Sequence, residues 1–378
     1  MTPAEVEAAV DAAWHSVPGR VQQLVAIETP SFDAAASARI AQVLAGWFEP
    51  LASELRTVVT DAGTHLVIEV PGTSDDAPIM LLGHSDTVWD HGTLQSTVPW
   101  SVDGDVVRGP GVFDMKSGLV TMLTALEILQ DRPRRPVRIL ITCDEEVGSP
   151  TSQDLVRSEL AGVAGVIGFE SPHPDGAFKV GRAGSTRVRL DIEGRAAHAA
   201  LDPGNGVSAI DELVDQLLVV RELVAEASAI SPVLCNVGTV SGGARANVVP
   251  DSASAEIGLR FVDGEAERHV LGALARLAPM RAGAVVRATI LTSRPAWQAG
   301  AGDVALLDEV GRAASALGQS ADGRPAAGAG DTNLVGSLGV PTIDGFGPRG
   351  GGAHAVTEHM LLSSLRERIE LLTAVLAR

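Results

Sequence analysis

Short apolar runs alternate with stretches of helical periodicity in the first half of the chain. Each of four such runs predicts a buried strand: HLVIEV (65–70), PIMLLG (78–83), VRILIT (137–142) and GVIGFE (165–170). The stretch LVTMLTALEIL (119–129) predicts a buried helix. Strands and helices in alternation favour an α/β fold, a doubly wound sheet of mixed strand direction with helices on both faces.

The pattern changes at about Gly184. From there the pattern predicts a strand, a helix, two strands, a helix and a strand. This is the βαββαβ order of a ferredoxin-like unit. Helical and strand patterns resume afterwards, and the run VPTIDGFG (340–347) predicts a strand that rejoins the first sheet. We therefore expect one domain built from residues 1–183 and 294–378, with residues 184–293 inserted as a second domain.

The composition is that of an ordinary globular protein. At 378 residues, with 45% hydrophobic and 20% charged residues, the chain can form two domains with full cores. Acidic residues outnumber basic ones by 47 to 29, and a surface with a net charge of -18 would repel a phosphate backbone. Nucleic acid is therefore not expected as a partner, and the simplest role of the acidic surface is solubility.

The cysteines and the first residues favour a cytoplasmic protein. Only two cysteines, Cys143 and Cys235, are present, too few for a disulfide framework. The opening residues MTPAEVEAAV predict a capped helix rather than a signal peptide. No stretch approaches the roughly 18 apolar residues that a membrane span requires. We expect neither secretion nor membrane binding.

Two polar motifs lie where ligands collect in an α/β sheet, directly after apolar strands. His84 follows PIMLLG, and Asp86 stands two residues further on, where its carboxylate can orient the second ring nitrogen of the histidine. Asp114 lies in the glycine-bracketed segment GPGVFDMKSG, just before the predicted helix. By itself, the first motif fits a structural histidine better than a binding site, whereas the second fits a helix cap and a binding site equally well.

Three consecutive carboxylates form the most informative local feature. Asp144, Glu145 and Glu146 directly follow the apolar run VRILIT, and their mutual repulsion is costly unless cations compensate for it. A solvated acidic turn is the alternative. Glu170 ends GVIGFE in the same topological position, and His354 lies in a glycine-rich loop that can fold tightly over a site. Because neighbouring side chains at a strand end point in different directions, one of the two adjacent glutamates can bind a metal ion while the other faces a substrate.

In this order, the motifs resemble those of the M20 metallopeptidase family, and within it the carboxypeptidase G2-like glutamate carboxypeptidases. The resemblance runs over nearly the whole chain, from IETPS (27–31) to GGGAHAVTEH (350–359). Between these lie GHSDTV, GPGVFDMKSG, DEEVGS, GFES, GRAAHA, ANVVP and SRPAWQAG. Individually these motifs are modest, but their order and spacing are specific.

The resemblance implies a site with two zinc ions, at which Co²⁺ or Mn²⁺ could also bind. One ion would be held by His84 and Glu170. The other would be held by Glu146 and His354, and Asp114 would bridge the two.

The resemblance also assigns the groups around these ligands. Glu145 would be the general base, taking a proton from the metal-bridging water and passing it to the leaving amine. Asp86 would support His84 from behind, and a cis peptide would follow the bridging aspartate, at Asp114-Met115.

Three residues of the inserted domain complete the implied site. His198, in GRAAHA, would stabilise the oxyanion, in family members often from the partner subunit of a homodimer. Arg260 and Asn247 would bind the substrate carboxylate, a task that suits the bidentate guanidinium. Without the resemblance, Arg260 would be a surface strand residue and His198 a loop histidine. The inserted domain is expected to act as a lid and dimerisation domain.

The expected activity is hydrolysis of the amide bond next to a free carboxylate, as in a carboxypeptidase or an N-acyl-amino-acid amidohydrolase, with glutamate favoured as the leaving residue. A dipeptidase or small-molecule aminoacylase is the near alternative. A non-catalytic binding protein on this scaffold is a further one, which the presence of Glu145 with all five ligands disfavours. The substrate is a small molecule or short peptide with a free carboxylate.

Other features depart from the family pattern or mislead. The run GAGDTN places Asp331 before Thr332, whereas family members commonly have the aspartate after Ser or Thr, so the substrate contacts of this loop stay open. GFGPRG (345–350) matches a dinucleotide-binding motif, but no helical pattern follows it and Pro348 would interrupt one. Cys143 is expected to be a small buried residue rather than a nucleophile.

Overall fold

The computed structural model describes residues 1–377, which divide into two compact units. The smaller unit comprises Arg182–Gln298 together with Ala327–Ala329. The larger unit takes the segments on either side, Met1–Gly181, Ala299–Ala326 and the chain from Gly330 onward.

The helices and strands account for most of the chain. The α-helices are α1 Pro3–Ala13, α2 Val17–Val25, α3 Ala34–Phe48, α4 Ser117–Ile128, α5 Gln153–Glu159, α6 Ala209–Ser228, α7 Gly264–Leu274, α8 Ala301–Ala316, α9 Asp331–Ser337 and α10 Leu362–Leu376. The strands are β1 Glu54–Thr60, β2 Gly63–Val70, β3 Ile79–His84, β4 Ser101–Asp103, β5 Val106–Arg108, β6 Val137–Thr142, β7 Gly165–Gly168, β8 Phe178–Arg182, β9 Gly184–Glu193, β10 Ala197–His198, β11 Val233–Gly242, β12 Val248–Val249, β13 Ser252–Phe261, β14 Val285–Arg294, β15 Gly323–Ala326, β16 Thr342–Ile343, β17 Gly350–Gly351 and β18 His359–Leu361. Short helical turns are Trp14–Ser16, Glu49–Leu51, Val112–Lys116, Glu145–Val147 and Pro203–Asn205.

The larger unit is built on a six-stranded mixed sheet in the order β1-β2-β6-β3-β7-β16. β3 is parallel to both of its neighbours, β6 and β7, whereas β1, β2 and β6 pair antiparallel. All four strands predicted from the apolar runs are present, and the predicted late strand forms as β16, parallel to β7. The predicted α/β class and mixed sheet are confirmed.

Apolar composition explains why the central strands and α4 lie inside. Every residue of β3 is buried, and all residues of α4 from Ser117 to Leu126 are buried, so this helix has no polar face to present to water. The first helix, by contrast, is fixed at its start by the predicted cap, in which Thr2 and Glu5 bond each other's backbone N–H groups.

The smaller unit is the predicted ferredoxin-like one. Its strands form an antiparallel sheet in the order β11-β13-β9-β14, connected through α6 and α7. Buried and more accessible residues alternate along β9 and β13, so one face of the sheet packs on a separate core that includes Leu190, Leu213 and Val270. The role of this unit as a lid or dimerisation domain stays a prediction.

Three parallel strands end at one edge of the large sheet, and this positions the candidate site. His84 is the last residue of β3, Glu145 and Glu146 lie in the turn that follows β6, and Glu170 stands two residues beyond β7. Side chains that are far apart in sequence therefore meet at the carboxyl ends of these strands. Across residues 1–377, no helix is both long and apolar enough to span a membrane.

Candidate metal centre

Five side chains predicted as ligands converge in two overlapping groups. In one, the His84 Nε2 atom lies 3.3 Å from Asp114 Oδ1 and 3.3 Å from Glu170 Oε1. In the other, the His354 Nε2 atom lies 3.4 Å from Asp114 Oδ2 and 3.1 Å from Glu146 Oε2. Asp114 belongs to both groups and offers a different carboxylate oxygen to each. This is the arrangement of a carboxylate shared between two adjacent cation sites.

The local backbone explains how Asp114 reaches both groups. The preceding Gly111 has φ +73°, in the left-handed region, and a Cβ there would come within 2.6 Å of Thr87 Cγ2. Asp114 and Met115 have non-helical backbone angles within the turn Val112–Lys116, and the peptide bond between them is cis, as predicted. The Asp114 carboxylate lies within reach of both His84 and His354.

Unpartnered polar atoms show that these residues fit cations. Among the described residues, His84 Nε2, Asp114 Oδ1 and Glu146 Oε1 are buried and have no hydrogen-bond partner. Buried polar groups without partners are rare because each one costs free energy, so such a group calls for a ligand. His84 Nδ1 lies 3.0 Å from the Asp86 carbonyl oxygen, an acceptor only, so this nitrogen carries a proton and Nε2 is the ring nitrogen that a cation could bind.

The electrostatics of the protein alone also favour positive charge here. Burial opposes a charge on His84, but the nearby carboxylates, first of all Asp114, raise the pKa of its imidazole well above the usual value. Asp114 and Glu146 raise the pKa of His354 to about 10. Burial raises the pKa of Glu146 to about 7. In the protein alone, protons supply the positive charge that this acidic cluster needs, and cations can replace them.

Asp86 supports the centre from behind and is almost fully buried. Its Oδ1 lies 3.4 Å from His84 Nδ1 and accepts the backbone N–H of Glu145 at 3.1 Å. Its Oδ2 accepts the N–H of Glu146 at 3.2 Å and the hydroxyl of Ser31 at 2.6 Å. One carboxylate therefore fixes both the histidine and the turn that carries the two glutamates.

Glu145 lies in that same turn, directly between Asp144 and Glu146, and its side chain is buried. Asp144 points away from the ligand groups, because its carboxylate accepts hydrogen bonds from Thr151 and Ser152 at the start of α5. The Asp144 and Glu146 side chains thus have different partners. Of the three adjacent acidic residues, only Glu146 is a member of a ligand group.

Some supporting residues were not found from the sequence. The Asp331 carboxylate accepts hydrogen bonds from Thr142 at 2.9 Å and from Ser149, one on each side of the acidic turn. Thr332 instead donates to Asp344 at 2.7 Å. The loop that departs from the family pattern therefore braces the turn, a role that no local pattern signals.

A buried lysine and a buried glutamate flank the Asp114 turn and were also missed. Lys116 Nζ donates to the Ile27 carbonyl at 2.7 Å, and burial lowers its pKa to about 7. The carboxylate of Glu358 accepts hydrogen bonds from the turn itself, and burial raises its pKa. In the sequence, each of these two residues is a charged residue within an otherwise apolar or glycine-rich run. Such a pattern does not tell whether the charged side chain is buried or lies on the surface.

The remaining predicted residues lie in the smaller unit or in the core. His198 and Asn247 are near each other, because the N–H of the residue after His198 donates to the Asn247 carbonyl, and both are exposed. Arg260 is exposed on β13. Their roles stay predictions. Cys143 is buried beside His65, and burial raises the pKa of its thiol to about 12, which suits a packing residue and not a nucleophile.

Comparison with known proteins identifies the family. The model of peptidase family M20/M25/M40 matches residues 80–378, most of the chain. The chain belongs to this family. It is a metallopeptidase-type hydrolase, and the candidate metal centre lies within the matched segment. A non-catalytic role for the scaffold is accordingly not favoured.

Named relatives point the same way. The chain is 28% identical over 360 residues to carboxypeptidase G2 of Pseudomonas sp. (strain RS-16), covering 92% of this chain and 86% of the relative. It is 30% identical to a probable carboxypeptidase of Paracoccidioides brasiliensis (strain Pb18) over 239 residues, 57% of this chain and 53% of that one.

Solved structures share the fold. The M20 family metallo-carboxypeptidase Sso-CP2 from Sulfolobus solfataricus superposes with a TM-score of 0.69 at 16% identity, covering 94% of this chain and 98% of that one. A tripeptidase from Staphylococcus aureus gives 0.71 at 21% identity, covering 96% and 97%. The predicted combination of catalytic and dimerisation-type domains is thus the architecture of M20 peptidases.

Proposed function

We propose that this member of the M20 family holds two Zn²⁺ ions and hydrolyses the amide bond next to a free carboxylate, as a carboxypeptidase or N-acyl-amino-acid amidohydrolase. Glutamate or a similar residue is the favoured leaving amino acid. The likeness to carboxypeptidase G2 over most of both chains supports the carboxylate side of the proposal.

One observation carries the two-ion part of the proposal. The two oxygens of Asp114 face different histidines, His84 at 3.3 Å and His354 at 3.4 Å, and each histidine has its own second carboxylate. A single ion bound in one group would leave the histidine and the second carboxylate of the other group without a metal ion. Mixed imidazole and carboxylate ligands are typical of zinc, and Co²⁺ or Mn²⁺ fits the same donors.

The residues of the chain divide the chemical work. Two cations held by these groups would activate a water molecule and polarise the scissile carbonyl. The Glu145 carboxylate accepts a proton from the attacking water and delivers it to the leaving amine. Asp86 keeps Glu145 in place by accepting its backbone N–H. Burial of Glu145 keeps bulk water from competing for the proton.

The smaller unit supplies the groups that recognise the substrate in this proposal. Arg260 and Asn247 bind the free carboxylate, and a guanidinium suits this because its fork matches the two oxygens. His198 stabilises the oxyanion, either within one chain or from the partner of a homodimer. The substrate is then a short peptide or an acyl amino acid, acted on in the cytoplasm.

The experiment compares substrates and variants in parallel. N-acyl amino acids and dipeptides with different carboxyl-terminal residues are incubated with the zinc-loaded protein, next to the same compounds with that carboxylate capped as an amide. We expect hydrolysis of the free acids, fastest with glutamate, and little of the amides. Equal rates for acids and amides would contradict carboxylate recognition.

Glu145→Gln tests the assignment of the base. We expect kcat to fall by about 100-fold or more because the amide cannot accept the proton. Metal content should stay at two ions, since Glu145 belongs to neither ligand group. Unchanged turnover would remove Glu145 from the mechanism, and loss of metal would make it a ligand instead.

A further inference from the structure

Glu358 is a fully buried carboxylate that belongs to neither ligand group. It stands four residues after His354, on the segment that leads into β18. Its side chain reaches the turn that carries Asp114, more than 240 positions earlier in the sequence. A charged group with no access to water must be held by specific partners.

Four N–H groups surround this carboxylate. Oε2 accepts from Trp89 Nε1 at 2.6 Å and from the Gly111 backbone at 3.0 Å. Oε1 accepts from the backbone of Phe113 at 2.9 Å and of Asp114 at 3.2 Å. Each oxygen thus receives two donors. A carboxylate accepts at both oxygens, whereas an amide would turn its own N–H₂ group toward two of these donors.

The bonded turn is the one that aims the shared ligand. The N–H of Asp114 itself is among the four donors, so Glu358 fixes the backbone from which that carboxylate projects. Gly111, at the other end of the turn, leaves no space for a side chain, since a Cβ there would lie 2.6 Å from Thr87 Cγ2. Glu358 therefore sets where the Asp114 oxygens point.

Glu358 is also tied to the loop of His354. The Glu358 N–H donates to the Ala355 carbonyl at 2.8 Å, and the Ala355 N–H donates to Gly352 at 2.9 Å, which makes residues 352–358 a compact turn. His354 has φ +59° within it, a left-handed conformation that a non-glycine residue keeps only when its surroundings impose it. The carboxylate thus connects the segments of two different ligands.

We propose that Glu358 is a positioning residue that holds Asp114 and His354 in register and so determines the affinity of the Asp114–Glu146–His354 group for its cation. The inference rests on the proposed two-ion site and adds to it the reason why the second group is formed. Because the His354 side chain is about half exposed while His84 is buried, this second group depends more on its loop than the first does.

The test measures metal binding directly. Metal-free Glu358→Gln and wild-type protein are titrated with Co²⁺, followed by isothermal titration calorimetry and by the visible absorption spectrum of the bound cobalt. For the wild type we expect two bound ions. For the variant we expect the second ion to bind about 10–100-fold more weakly and the cobalt spectrum to change. The first ion should be weakened less, because its group shares Asp114 but not the His354 loop.

Two further variants separate positioning from general damage. Trp89→Phe removes one donor but keeps the carboxylate and its three backbone donors, so two ions should bind as in the wild type. Glu358→Asp keeps a carboxylate on a shorter side chain and should weaken the second ion less than the glutamine variant does. If circular dichroism shows that Glu358→Gln does not fold, the affinity of Glu358→Asp for the second ion takes its place as the test.

The outcomes distinguish failure of the positioning role of Glu358 from failure of the proposed two-ion site. Folded Glu358→Gln that binds two ions with wild-type affinity and spectrum would overturn the positioning role, as would an equal loss of the second ion in Trp89→Phe. A wild-type protein that binds only one ion would instead contradict the proposed two-ion site, whatever the variants do.

Discussion

At the scale of single residues, the metal centre depends on carboxylates that are not themselves ligands. Asp86 contacts His84 and both N–H groups of the acidic turn, Asp331 braces that turn from the side, and Glu358 holds the turn of Asp114. Each brings together segments that are distant in sequence. The candidate ligands are thus held in place by the protein itself, which would lower the cost of ordering them when a cation binds.

Asp86→Asn is expected to lower kcat/KM by about 10–100-fold, because the amide offers only one acceptor oxygen where two N–H groups and the His84 ring need to be oriented. Steady-state kinetics and metal analysis of the purified variant measure this.

Ser31→Ala is the matched control for Asp86→Asn, because it removes one hydrogen bond to Asp86 and leaves the backbone donors in place. Its cost should be about 1 kcal/mol of stability with little change in turnover. Equal kinetic losses in the two variants would argue against the orienting role of Asp86.

At the scale of elements, the site depends on how closely α4 packs against the end of the β7 segment. Gly118, in the first turn of α4, has no room for a side chain: an added Cβ would lie 2.7 Å from the Phe169 carbonyl oxygen and 2.9 Å from Met115 Cε. Phe169 directly precedes Glu170. The glycine therefore lets the helix approach the strand end that carries a ligand.

Gly118→Ala should destabilise the protein by about 1–3 kcal/mol through overpacking, and it should weaken metal binding by displacing Glu170. Gly46→Ala is the control, since this glycine is exposed in α3 and an added Cβ meets nothing within 4 Å. That change should stabilise by about 0.5–1 kcal/mol because alanine favours a helix. Urea unfolding and metal titration measure both, and a tolerated Gly118→Ala would contradict the packing argument.

At the scale of the whole molecule, metal binding and stability are linked through protonation. In the protein alone, the pKa of His354 is raised to about 10 from an ordinary value near 6.5. A raised pKa in the folded state contributes stability below pH 6.5 that is lost as the pH rises toward 10. Cations compete with these protons, so bound metal should replace the lost stability at high pH.

Urea unfolding of chelator-treated wild type and His354→Asn from pH 6 to 10 measures this linkage. The stability advantage of the wild type should shrink steadily between about pH 6.5 and 10. Lys116, whose pKa is lowered to about 7, produces the opposite trend in both proteins and cancels in the comparison. A difference that stays constant or grows with pH would contradict the raised pKa of His354.

The sequence by itself determined the elements, the fold class and the family. Apolar runs of strand length and the predominantly apolar α4 are stable only inside the protein, and their alternation leads to a mixed α/β sheet. Candidate site residues could be recognised because histidines and carboxylates stand directly after such strands, at the sheet edge where α/β proteins bind their ligands. The order of the motifs then identified the M20 family, which individual motifs could not do.

Only the tertiary structure decided which polar groups meet. Local periodicity tells which face of an element is buried, but it carries no information on contacts between segments more than 180 positions apart, such as Asp331 with Ser149 or Glu358 with Asp114. The sequence also does not distinguish a charged side chain that is buried from one that lies on the surface. The sharing of Asp114 between two ligand groups, and the residues that hold it there, follow from how the chain returns to the same sheet edge.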